Sequence, residues 1–183
     1  MILNYILSGF LLTWLIPLIG FIIHIIINLF YKIIVFLLGN KVTYFLFNYF
    51  LFLGIIHHEL SHFIFAKLTG TLVLKVDLFK PTEKSLGSVL VCYTGSKLKQ
   101  SIQATLVSVA PIICGIISVF CLYNFLKYLD LSTLSNVVLY YILFSIVIHM
   151  TMSKEDLKSY KTGSFVLTIL LSIVCYIAKF SLV

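Results

Sequence analysis

Six consecutive residues, His57-His58-Glu59-Leu60-Ser61-His62, hold three of the chain's five histidines. Read from His58 they contain the pattern H-E-x-x-H. On a helix, residues four apart lie one turn apart on one face. His58 and His62 can therefore share a zinc ion, and Glu59 beside them can reach a water on that ion. His57 points about 100° away from His58 and is not expected to join the same ion. A plainer reading makes the pair two histidines on a buried helical face. The surroundings weaken it, because His and Glu in hydrocarbon-rich sequence are costly unless they serve a purpose.

A catalytic zinc takes three protein ligands and keeps a position for water. The third ligand must come from another helix at the same depth. Apart from Asp77 and Glu83, the acids available there are Glu155 and Asp156, in Ser153-Lys154-Glu155-Asp156-Leu157-Lys158. Asp156 is the expected ligand and Glu155 the alternative. A second role competes for Asp156: Ser153 and Asp156 have the S-x-x-D spacing of a capping box, and an acid suits a helix N-terminus without any metal. His149, seven residues before Asp156, is a candidate donor to an oxyanion or a support for the ligands, or else a satisfied interior histidine. In the enzyme reading Glu59 takes a proton from the attacking water and passes it to the leaving amine, while zinc acidifies that water and polarises the scissile carbonyl.

The elements that carry these residues are those of a membrane protein. The 183 residues are 61% hydrophobic and only 10% charged, against about 25% charged in soluble domains. That composition predicts an α-helical integral membrane protein forming a single membrane-embedded domain, residues 1–183. The net charge of +7 comes from thirteen lysines and no arginine against six acids. In such a chain the excess reads as membrane topology, with no nucleic-acid partner. The cysteines at 92, 114, 121 and 175 show no C-x-x-C spacing and read as small buried hydrophobes. The N-terminal apolar run is too long for a cleaved leader and reads as a retained segment.

About five transmembrane helices are expected. Residues 1–41 form an N-terminal span kinked near Pro17, with His24 and Asn28 paired on one face inside the bundle. Residues 42–163 form the catalytic core: a second span from Val42 to Leu68 stopped by Thr69-Gly70, a third from Gln100 to Leu126 around Pro111, and a fourth from Asn136 to Met150. Polar connections cover Lys127 to Ser135 and Ser153 to Gly163. Residues 164–183 form the C-terminal span. Between spans two and three, residues 71–96 change period: TLVLKVDLF and SVLVCY are β-branched and partly alternating, which predicts a small β-hairpin-like insert. Strands cannot offer open edges to lipid, so the insert lies at the surface or in a protein-lined cavity. Its edge offers an extended peptide a place to add as a strand. With alternating spans, Lys67, Lys75, Lys80, Lys84, Lys97, Lys99, Lys154, Lys158 and Lys161 fall on one side, and Lys32, Lys41, Lys127 and Lys179 on the other. Nine against four puts the insert and the metal site near the cytoplasmic face.

With these residues in view, the chain resembles the site-2 protease-like intramembrane zinc metallopeptidases. The resemblance rests on HHELSH followed by KLTG, the strand-forming insert, VAPIICG on span three and HMTMSKEDLK, and it covers about residues 55 to 163. It implies zinc at His58 and His62, Glu59 as general base, and a later Asp as third ligand, by position Asp156. Many members carry that Asp in Asn-Pro-Asp-Gly or Leu-Asp-Gly, whereas here it stands in Ser-Lys-Glu-Asp-Leu-Lys. Small bacterial relatives have a Ser-x-x-Asp variant with a preceding His, which His149 matches. No PDZ-like segment is visible. The expected activity is zinc-dependent cleavage of a protein or peptide with a transmembrane or membrane-proximal segment, in a bacterial plasma membrane. The alternative is a non-catalytic zinc-binding membrane protein acting as a structural or interaction partner. A transporter would show repeats or paired broken helices, and the sequence has neither.

Overall fold

A computed structural model describes residues 2–82, 85–128 and 133–183. Glu83 and Lys84 lie outside the described residues, as do positions 129–132 of the connection expected between Lys127 and Ser135. The molecule is mostly helical. The first helix, α1 (Ile2–Leu38), runs 37 residues with Pro17 inside it, about 56 Å at 1.5 Å per residue. Gly39 then turns the chain with φ 79°. A short helix, α2 (Asn40–Phe45), leads into a single π-helical stretch (Leu46–Phe50), and after Leu51 comes α3 (Phe52–Leu68), which carries HHELSH. The expected unbroken second span is thus a pair of segments bent by 49°. Gly70, at φ 69°, ends it as expected.

The insert is an antiparallel hairpin of β1 (Leu72–Asp77) and β2 (Ser88–Cys92), with a bulge between Val73 and Lys75. On β1 the Lys75 ammonium lies 2.6 Å from Asp77 and holds that exposed carboxyl below its ordinary range. Next come α4 (Lys97–Tyr128) with Pro111 inside, α5 (Thr133–His149) and α6 (Lys154–Ile177). Three helices, α1, α4 and α6, are long and apolar enough to cross a membrane; the bent α2–α3 pair makes a fourth if counted as one span. The expected count of five is not reproduced, because α5 has only 17 residues.

The direction of α5 and α6 explains the difference. Ser145 meets Gly54, and His149 one turn later meets His58, so α5 runs parallel to α3. Helix α4 is antiparallel to α3, with Val107 at His62 and Gln103 at Thr69. Along α6, Asp156 faces His62 while Gly163 packs on Ser101 and Thr105, so α6 also runs parallel to α3. Helices α5 and α6 are therefore one path interrupted at Met150–Ser153, and Ser153–Gly163 is no loop between opposed spans. Lys154 to Thr162 belong to α6 itself, so 163/164 is not a structural boundary. Lys179 follows α6 and does not lie across from Lys158 and Lys161.

Helix α1 runs back along the whole of this path. Gly9 meets Ser172, Thr168 Oγ1 donates to Thr13 Oγ1 at 3.1 Å, Gly20 meets Met152, and Phe30 packs edge-on against Phe144. Small residues let the backbones approach, the usual basis of helix association where lipid is as apolar as the core. A second cluster joins Phe47, Leu51 and Ile148 with Phe30, Tyr31 and Ile34, and it locks the π-helical stretch against α1 and α5. The Asn28 amide pairs with His24 Nε2 at 2.8 Å as expected, but both side chains lie on the exposed side of α1 and not inside the bundle.

Candidate metal centre

Helical spacing delivers the first two donors. His58 and His62, one turn apart on α3, bring their Nε2 atoms within 3.2 Å. Each ring is held from behind by a main-chain carbonyl: His58 Nδ1–H donates to His149 O at 2.8 Å, and His62 Nδ1–H to Val107 O at 2.8 Å. A carbonyl can only accept, so the proton of each neutral ring sits on Nδ1 and both Nε2 atoms present bare lone pairs. Two lone pairs that close repel unless a cation lies between them.

Asp156 closes the group from α6. Its Oδ1 is 3.4 Å from His62 Nε2 and its Oδ2 is 4.0 Å from His58 Nε2. The three ligand atoms lie within 4.8 Å of one another, in a group that could hold a metal ion. Bonds near 2.0–2.2 Å in a tetrahedral arrangement put ligand atoms about 3.3–3.5 Å apart, close to the observed spacings. Both roles weighed for Asp156 are present at once. Ser153 N–H donates to Asp156 Oδ2 at 2.9 Å and Asp156 N–H to Ser153 Oγ at 3.0 Å, a complete capping box. Glu155 points elsewhere on the first turn of α6 and does not join the group.

The group opens into a cleft of about 780 Å³ lined by α3, β2, the approach to β2, α4 and the α5–α6 break. Glu59 stands in its wall, and Gly87 packs so closely on the Glu59 side chain that a Cβ there would overlap it. Ser88, Val89, Leu90 and Val91 face the same space, so one edge of the hairpin borders the metal group. Three of the chain's six acids, Glu59, Glu155 and Asp156, line the cleft, with no lysine among its described lining residues. In a chain of net charge +7 that concentration favours a cation.

The remaining sequence candidates separate clearly. His57 turns away and pairs with Ser118 on α4 at 2.9 Å. His149 lines the cleft, but its ring Nδ1 pairs with Ser145 O at 3.0 Å, and its contribution to the ligands runs through its own carbonyl on His58. Sequence reasoning missed the Val107 carbonyl, since a backbone atom leaves no residue-type signal. It also missed Tyr93, just beyond β2, whose phenol burial keeps protonated in the cleft wall beside Ser159.

Ser145 escaped notice too. Its hydroxyl sits inside the α2–α3 break, donating to Leu51 O at 2.7 Å and accepting from Gly54 N–H at 2.7 Å. One turn earlier Tyr141 donates to Phe50 O. A stripe on α5 thus repairs the interrupted ladder immediately before the metal-binding turn. No family model, curated protein or solved structure matches this chain.

Proposed function

We propose that the chain is a zinc-dependent intramembrane endopeptidase, hydrolysing a peptide bond in or near a membrane segment of its substrate. The observation that carries this reading is the convergence of His58, His62 and Asp156 with Glu59 beside them in one cleft. Three protein donors are the number a catalytic zinc takes, where a structural zinc takes four. The second reading, a non-catalytic zinc protein, is favoured by the capping box, which occupies Asp156 with or without metal. Glu59 argues against it, because a structural site has no use for a base in its wall.

Bound zinc supplies Lewis acidity toward a water and the scissile carbonyl. The chain's own residues do the rest. Glu59 accepts the proton of the attacking water and returns it to the departing amine. The His149 and Val107 carbonyls keep both imidazoles facing the centre. The free edge of β2 takes the substrate as an added strand, and extension exposes a carbonyl that a helix would hide. Lys67, Lys75, Lys80, Lys97 and Lys99 gather at the hairpin end, which supports placing that end at the cytoplasmic face. The resemblance to site-2 protease-like enzymes agrees with each of these roles.

The test uses the purified full chain and a reconstituted membrane peptide. The protein takes up about one zinc, and His58→Ala or His62→Ala loses it. Glu59→Gln keeps the metal while cleavage falls by at least about 100-fold. Wild-type metal content in the histidine variants, or full cleavage by Glu59→Gln, refutes the reading.

A further inference from the structure

The two prolines inside helices act on their neighbours in the same way. Proline has no N–H, so the carbonyl four residues earlier loses its helical partner. For Pro17 in α1 that carbonyl belongs to Thr13, and it accepts the Tyr160 hydroxyl of α6. For Pro111 in α4 it belongs to Val107, and it accepts Nδ1–H of His62.

We propose that Pro111 is a positioning residue of the metal centre, reserving the Val107 carbonyl for His62 by withholding an N–H from the α4 ladder. The inference rests on reading His58, His62 and Asp156 as a metal site, and it adds a residue that touches neither metal nor substrate. The location supports it. Val107 is 4% exposed, Ile112 0%, and Pro111 is equally buried. In so dry a place the freed carbonyl needs a protein donor, and His62 is the donor it has. The bond works both ways: it satisfies Val107 and turns the His62 ring so that Nε2 faces Asp156. With an ordinary residue at 111 the carbonyl has a competing partner. The imidazole then loses the bond that selects its tautomer and orientation.

Cobalt(II) titration of the purified full chain, followed by visible absorption, reads affinity and coordination geometry without any substrate. Pro111→Ala returns the N–H to α4. It is expected to raise the thermal midpoint of the metal-free protein and to weaken cobalt binding by about tenfold or more. Pro111→Ser adds a hydroxyl that can bond back to the same carbonyl, so its loss should exceed that of Ala. Pro17→Ala makes the same repair on α1, away from His62, and should leave the cobalt spectrum and affinity unchanged. Equal affinity in Pro, Ala and Ser at position 111 overturns the inference. So does a loss in Pro17→Ala as large as in Pro111→Ala, which would trace the effect to helix bending in general. A wild-type chain that takes up no cobalt removes the metal site itself, a distinct failure.

Discussion

The two oxygens of Asp156 face different partners: Oδ1 is turned to His62, and Oδ2 accepts the Ser153 N–H. Asn in its place keeps an oxygen for the cap and puts an amide, with no charge, toward the imidazoles. Asp156→Asn is therefore expected to start α6 normally, by circular dichroism, while metal affinity falls more than about 100-fold. Glu155→Gln, outside the group, should change affinity less than about threefold. The reverse order would make Glu155 the ligand. At this scale the site was largely readable from the sequence. H-E-x-x-H is a local pattern whose geometry follows from helical periodicity, and Ser153-x-x-Asp156 is equally local. The carbonyls behind the rings were not readable as ligands' supports, although Pro111 marks one of them four residues ahead.

Among the elements, α5 has the least room to change. Tyr141, Ser145 and His149 stand at successive turns, and they serve Phe50, Leu51 with Gly54, and His58 in order. Gly54 is part of the fit, since a Cβ there would run into the Ser145 carbonyl. Ser145→Ala strands a carbonyl and an N–H in the bundle and is expected to cost about 1–2 kcal/mol of stability in detergent unfolding. Ser164→Ala, whose hydroxyl bonds only to Lys161 O in its own helix, should cost less than about 0.5 kcal/mol. Equal losses would mean that the repair at the break contributes nothing specific. The break itself left no mark that composition could report. LFNYFLFLG is as apolar as the helix on either side, and a π-helical stretch is set by what packs against it, here Phe30, Tyr31 and Tyr141.

For the whole molecule, the direction of the last two helices is what hydropathy cannot encode. An apolar run says that a segment is long enough to cross, not whether its neighbour continues onward or turns back, so α5 and α6 read as opposed spans. Because the donors come from α3 and α6, an ion ties together residues nearly 100 positions apart in the chain. At 1,000 times its Kd it should stabilise the fold by about 4 kcal/mol. Stripping with a strong chelator is then expected to lower the thermal midpoint of the wild type and not of His62→Ala. An unchanged midpoint in both would contradict a shared ion. The interruption between α5 and α6 carries a further consequence. Thr151 and Ser153 give up helical bonding beside the ligands and line the open cleft. Bare peptide groups at such a depth are stable only where something polar reaches them. The unwound turn therefore fixes where the interior is wet, and a hydrolytic reaction would draw its second reactant from that same moisture.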